Sequence, residues 1–166
     1  VRFNFMIPIK NILIIALFVF MMDQLTKLVV VHYMDLSGLL YVKFLPPIIN
    51  FKMAWNEGIN FGLFASRSNV VKWFLILIAL VICLYFLVWM RNETRIVHQI
   101  FGGLIIGGAL GNVFDRLLYG AVADFINISC CGLENPYSFN LADTSIFFGV
   151  FGIILNLDKP KHLNED

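Results

Sequence analysis

Four apolar runs constrain this chain more than any other feature. They cover about residues 9–31, 70–90, 97–119 and 139–157, each close to the roughly 20 helical residues that cross a hydrocarbon core. Lipid offers a bare backbone no hydrogen-bond partner, so open strands cannot cross it, and no alternating ten-residue pattern marks a barrel. The expectation is an all-α membrane protein with four transmembrane helices. Composition agrees: 60% of the 166 residues are hydrophobic, 14% are charged and mean hydropathy is +0.83, well outside the range of soluble domains. A net charge of +1 gives no electrostatic case for a nucleic-acid partner.

The connections differ in character. Residues 32–69 hold two segments rich in β-branched and aromatic residues, 39–44 and 48–55, bounded by Gly38, Pro46 and Pro47. They predict short strands and a small outer sheet between helices one and two, followed by a polar, Gly-punctuated turn over 56–62. Residues 120–138 are expected to be mostly irregular. Arg2, Lys10, Arg91, Arg95, Lys159 and Lys161 flank one set of helix ends, against Lys43, Lys52, Arg67 and Lys72 on the other. That bias predicts cytoplasmic termini and outward-facing long connections. The first run imitates a secretory signal, but no small-residue cleavage site follows, so a retained spanning helix is expected. One domain, 1–166, accounts for the whole. Of three cysteines, Cys83 lies in an apolar run and Cys130 and Cys131 are adjacent in a connection, which is neither a disulfide framework nor a zinc pattern.

An ionised group inside an apolar run is costly and asks for a reason. Asp23 and Lys27 stand four apart, on one helix face and within ion-pair reach; a purely structural pair fits them as well as a functional one. Asn112, Asp115 and Arg116 repeat the pattern in the third run, where the Arg116 fork suits a carboxylate or a carbonyl. Gly103, Gly107 and Gly111 form a ridge of small residues for close helix approach, and the Lys and Ser or Thr of a phosphate loop are missing.

Asp124, just past Gly120, and Asp143, early in the fourth run, come to one side of the bilayer at matching depth. Carboxylates held together in a partly apolar site share a proton and titrate as a unit. One can then take a proton from water while its protonated partner donates to a substrate carbonyl, with no metal or other cofactor. The competing reading makes Asp143 a helix cap and Asp124 a wet loop residue; spacing does not separate the two. His32, His98 and His162 lack metalloprotease spacing, and no serine sits in a Gly-x-Ser-x-Gly elbow.

Taken together, Asp23-Gln-x-x-Lys27, Asn56-x-Gly-x-x-Phe61, Gly107-Gly-Ala-x-Gly-Asn-x-x-Asp-Arg116, Gly120-x-Val-x-Asp-Phe125 and Phe139-Asn-x-Ala-Asp143 resemble, in order, the motifs of the lipoprotein signal peptidases. These bacterial type II signal peptidases are aspartic endopeptidases of the inner membrane. The resemblance implies four transmembrane helices with a small periplasmic sheet and a catalytic dyad at Asp124 and Asp143. It implies that Asn56, Gly58, Asn112, Arg116, Asn140 and Ala142 bind substrate or support the site, and that Asp23, Lys27 and Asp115 are structural. The implied substrate is a diacylglyceryl prolipoprotein cut N-terminal to its lipidated cysteine, in contact with membrane lipids and inhibited by globomycin-type peptides. Glu57 and the Cys130-Cys131 pair depart from the motifs. The alternatives are a small transporter or channel, with Asp23, Lys27, Asp115 and Arg116 lining a polar path, or a structural membrane partner.

Overall fold

A computed structural model describes residues 6–58, 69–130 and 134–156. Helix α1 covers Met6–Lys27 and runs on as a wider π turn over Leu28–Tyr33, followed by a single helical turn, α2, at Leu36–Leu39. Strands β1 (Tyr41–Leu45) and β2 (Ile49–Asn56) lead to α3 (Asn69–Trp89), a 3-10 turn at Met90–Asn92, and α4 (Ile96–Tyr119). The chain ends its described course with β3 (Val122–Ile128) and α5 (Leu141–Asn156). Pro8–Tyr33, Asn69–Asn92 and Ile96–Tyr119 are long and apolar enough to cross a membrane, and Leu141–Asn156 is a shorter apolar helix.

Helix α4 is the central element, packed against α1, α3 and α5. Glycines make that possible. A Cβ at Gly107 would lie 2.5 Å from the Ala16 carbonyl oxygen of α1, and one at Gly108 would lie 2.5 Å from the Ala142 carbonyl oxygen of α5. The Gly103, Gly107 and Gly111 ridge thus faces α1, and the offset Gly108 receives α5. Between the helices Ile12, Ala16, Cys83, Met90, Ile105, Ile106, Ala109 and Ile153 form the apolar core.

Two expectations are corrected. The connection after α4 is not mostly irregular: it supplies β3, whose residues are almost all buried. The sheet therefore has three antiparallel strands in the order β1-β2-β3, and only the first two come from between helices one and two. The stretch 122–128 alternates polar and apolar residues only weakly, because both its faces are covered. Phe51 and Phe125 meet edge-on at 5.8 Å over a second cluster with Val30, Val31 and Leu36, and Asp124 and Asn127, on opposite faces of β3, are buried as well. The first span runs over Pro8–Tyr33, close to the expected 9–31, with its last six residues in the π turn. Residues 59–62 of the expected polar turn, Phe61 of the motif, Cys131, and the flanking Arg2, Arg67, Lys159 and Lys161 lie outside the described residues. Cys83 is a free, buried thiol, and Cys130 is disulfide-bonded.

Candidate active site

Helix α4 stops at Gly120, whose φ of +80° is the left-handed conformation that favours glycine. The chain reverses there into β3, and antiparallel pairing with β2 sets Asp124 opposite Ala54 and Val122 opposite Asn56. Asn56, the last residue of β2, then reaches the acid: its Nδ2 donates to Asp124 Oδ2 at 3.0 Å. Its Oδ1 accepts the Gly58 N–H at 3.1 Å, and the Gly58 carbonyl accepts Arg116 Nη2 at 2.8 Å.

Asn140 immediately precedes α5 and Asp143 is in its first turn. Asn140 Oδ1 accepts the Asp143 N–H at 2.8 Å, while Asp143 Oδ2 lies 3.4 Å from the Asn140 N–H. This is the reciprocal arrangement of a capping box. The same Asn140 donates through Nδ2 to Asp124 Oδ1 at 2.7 Å. One asparagine therefore touches both acids. Asn112 on α4 completes the ring, donating to Asp143 Oδ1 at 2.8 Å and accepting from Asn140 at 3.2 Å. Arg116 Nη1 returns to the Asn112 carbonyl at 3.3 Å, and its buried Nε has no hydrogen-bond partner among the described residues.

Beneath this ring lies a fully buried charged cluster. Lys27 Nζ is 2.7 Å from Asp23 Oδ2 and 2.8 Å from Asp115 Oδ2. Each carboxylate also accepts one backbone amide: Asp115 Oδ2 that of Ala123 at 3.1 Å, and Asp23 Oδ1 that of Ala142 at 2.9 Å. Those amides belong to the residues just before Asp124 and Asp143. The cluster thus grips the backbone behind each acid. Gln24 was not singled out from the sequence, although it stands inside the Asp23-Gln-x-x-Lys27 motif. It bridges the two carboxylates, donating to Asp23 Oδ2 and Asp115 Oδ1 at 3.0 Å each. Its signal in the sequence is a polar side chain in an apolar run, one place off the i, i+4 spacing that joins Asp23 and Lys27.

Burial, then the charge of neighbouring Asp143, pushes Asp124 up to about 7, against the opposing pull of the Asn56 and Asn140 amides and of Lys27. Such an acid is about half protonated at neutral pH, where an ordinary carboxyl is ionised, and its neutral form can donate a proton. Asp143 sits at the positive end of the α5 dipole, where an acidic side chain is stabilised. Below it a groove of about 360 Å3 runs down α5 along Ile146, Phe147, Val150, Phe151 and Ile154. Among the described residues no group of three or more His, Cys, Asp or Glu is placed to hold a metal ion.

Apolar spans with two acids linked through Asn140 at one end define a multi-pass membrane protein. Comparison with known proteins narrows this. The family described as signal peptidase (SPase) II matches residues 15–158. The lipoprotein signal peptidase of Methylobacterium radiotolerans is 37% identical over 155 residues, covering 93% of this chain and 90% of the relative. That of Aeromonas hydrophila is 38% identical over 146 residues, covering 86% and 84%. A bacterial membrane enzyme solved by the in meso method at 1.9 Å superposes with a TM-score of 0.73 at 30% identity, over 92% of this chain and 95% of that one. The chain belongs to the signal peptidase II family and is a peptidase.

Proposed function

We propose that this peptidase removes the signal peptide from diacylglyceryl prolipoproteins, cutting N-terminal to the lipidated cysteine with Asp124, Asp143 and one water. The observation that carries the reading is Asn140, hydrogen-bonded to Asp124 through its side-chain amide and to Asp143 through its side-chain oxygen. That oxygen meets the Asp143 backbone N–H, so Asn140 both caps α5 and links it to Asp124, which supports reading the two acids as a pair. In the reaction Asp143 takes a proton from water, the resulting oxygen nucleophile attacks the scissile carbonyl carbon, and Asp124 gives its proton to the carbonyl oxygen. On collapse of the tetrahedral species the former carbonyl oxygen returns its proton to Asp124 and the cysteine amine leaves with the proton that Asp143 took from water, which restores both acids. Asn56, Gly58, Asn112, Arg116, Asn140 and Ala142 hold the acids and line the substrate path; Asp23, Lys27 and Asp115 anchor it. This leaves the alternative of a polar path through those charges without a specific observation in its favour.

In this reading the protein is a single domain over 1–166 in the bacterial inner membrane. The shorter α5 serves as a fourth span, the termini are cytoplasmic and the sheet lies on the outer face. A lipidated substrate keeps its acyl chains in the bilayer and its scissile amide at the interface, where the acids are. The α5 groove beside Asp143 offers apolar chains a surface, and globomycin-type peptides would compete for the same place. Asp124→Asn and Asp143→Asn should each leave a folded, inserted protein that fails to convert lipidated precursor in reconstituted membranes. Cleavage at the parental rate by either variant removes that residue from the mechanism.

A further inference from the structure

The loop that returns the chain from β3 to α5 is tied down by a polar knot outside the motifs and outside the acid pair. Asn127 is 2% exposed. Its Nδ2 donates to the carbonyls of Asn135 at 2.9 Å and Tyr137 at 2.7 Å, and its Oδ1 accepts the Ser129 hydroxyl at 2.6 Å. Ser129 Oγ accepts the Asn135 N–H at 3.0 Å, and Asn135 Oδ1 accepts the Tyr137 N–H at 3.0 Å. Three side-chain hydrogen bonds of Asn127, two donated to loop carbonyls and one accepted from a hydroxyl, are spent inside one loop. Directly beyond the knot Phe139 exchanges backbone hydrogen bonds with Ile126 at 2.8 and 3.0 Å, and Asn140 follows.

We propose that Asn127 is a positioning residue for the acid pair, holding the returning strand in the one register that sets Asn140 between Asp124 and Asp143. The route is short. Asn127 lies three residues after Asp124 on β3, and the carbonyl of Tyr137 that it holds lies three residues before Asn140. A slip of one residue in the return would turn the Asn140 side chain to the other face of the pairing. The Phe139 bridge and the Ser138 hydroxyl on the Lys52 carbonyl, at 2.8 Å, hold this segment to the sheet at only two adjacent points. The grips on the Ala123 and Ala142 amides fix each acid from behind; Asn140 itself meets the Ala123 carbonyl at 3.4 Å and Asn112 Oδ1 at 3.2 Å, long contacts to which the knot adds a constraint from the loop side.

The inference rests on the dyad reading above, and its test separates the two. The experiment compares parent, Asp124→Asn, Asn127→Ala and Ser129→Ala, each purified full length and assayed on a diacylglyceryl precursor across pH, with a thermal melt of each. Asn127→Ala should lower kcat roughly 10- to 100-fold, the scale expected when reacting groups are misplaced by about 1 Å from a distance, with little change in KM. It should also move the alkaline limb of the pH profile upward, because a loosened Asn140 no longer favours the charged form of Asp124. The other charged groups facing Asp124, namely Asp143 on α5, Lys27 on α1 and Asp115 and Arg116 on α4, are untouched by the substitution. Ser129→Ala, which removes one hydroxyl and keeps the fold's apolar contacts, should shift both quantities in the same direction by less, and carries the test if Asn127→Ala does not insert. A kcat and an alkaline limb identical to the parent's in the folded variants overturn the positioning role. An inactive parent, or an active Asp124→Asn, overturns the dyad reading instead.

Discussion

Replacing Lys27 by methionine is the sharpest probe of what holds the site together. The ammonium is buried, 2.7 Å from one carboxylate and 2.8 Å from another. Methionine fills nearly the same volume, so the packing cost is small. What remains is two buried carboxylates with only the Gln24 amide between them. Removing one partner of a buried ion pair costs about 3–5 kcal/mol, and with two acids left uncompensated the upper end, ~5 kcal/mol, applies. Against a total of about 5–15 kcal/mol for a domain, that is a third of the stability or more. Asp115→Asn is the control. It keeps the Lys27 and Asp23 pair, and its amide oxygen can still accept the Ala123 N–H, so about 1–3 kcal/mol is expected. Combining the two substitutions removes one acid along with the lysine, so the double variant should be more stable than Lys27→Met alone, with a coupling of the sign that contact requires. Denaturant unfolding in detergent micelles, alongside precursor cleavage, measures all three. A Lys27→Met variant within about 1 kcal/mol of the parent, or a double variant whose cost equals the sum of the single ones, would refute the reasoning.

Other expectations follow from the same geometry. Asp124 with its carboxyl raised to about 7 is neutral below that pH in the folded state and ionised above it, so cleavage should fall as pH rises through about 7. The burial of Asp124 is free of charge penalty below the ordinary carboxylate range and becomes destabilising as pH climbs through about 7; Asp124→Asn should gain relative stability at pH 8 over the parent and lose that advantage near pH 4. Asn56→Ala deletes a 3.0 Å bond to Asp124 Oδ2 and should carry the alkaline limb of activity further up, as a pH titration of kcat would show. Gly108→Ala puts a methyl group 2.5 Å from the Ala142 carbonyl oxygen, a backbone atom that cannot step aside, so α5 must shift. About 1–3 kcal/mol of stability and most of the activity should go, whereas Gly149→Ala, farther along α5, should spare the acids and cost stability more than rate.

The helices were legible because their signal is cumulative: twenty apolar residues in a row outweigh any local ambiguity. The charged residues stood out against that background for the same reason, so Asp23, Lys27, Asp115, Asp124 and Asp143 were all visible as anomalies. What spacing left open at Asp143, a cap or a functional acid, has a physical cause: Asn140 and Asp143 form a capping box and the same Asn140 serves Asp124, so both descriptions apply to one geometry. β3 was not legible. Its residues pair with β2 from some seventy positions earlier, and a strand covered on both faces lacks the alternation that betrays a half-exposed one. The backbone grips on Ala123 and Ala142 were equally hidden, since an amide N–H carries no sequence signature.

The pairing of β2 with β3 also governs when the enzyme can exist. Ribosomal synthesis delivers β2 long before its partner, and α3 and α4 must be emplaced in between. Until residue 128 has emerged, Asn56 has no acid to hold, and until residue 143 follows, Asp124 has no companion. Truncated or stalled products therefore present the membrane with helices but without the hydrogen-bonded cluster that joins Asn56, Asp124 and Asn140.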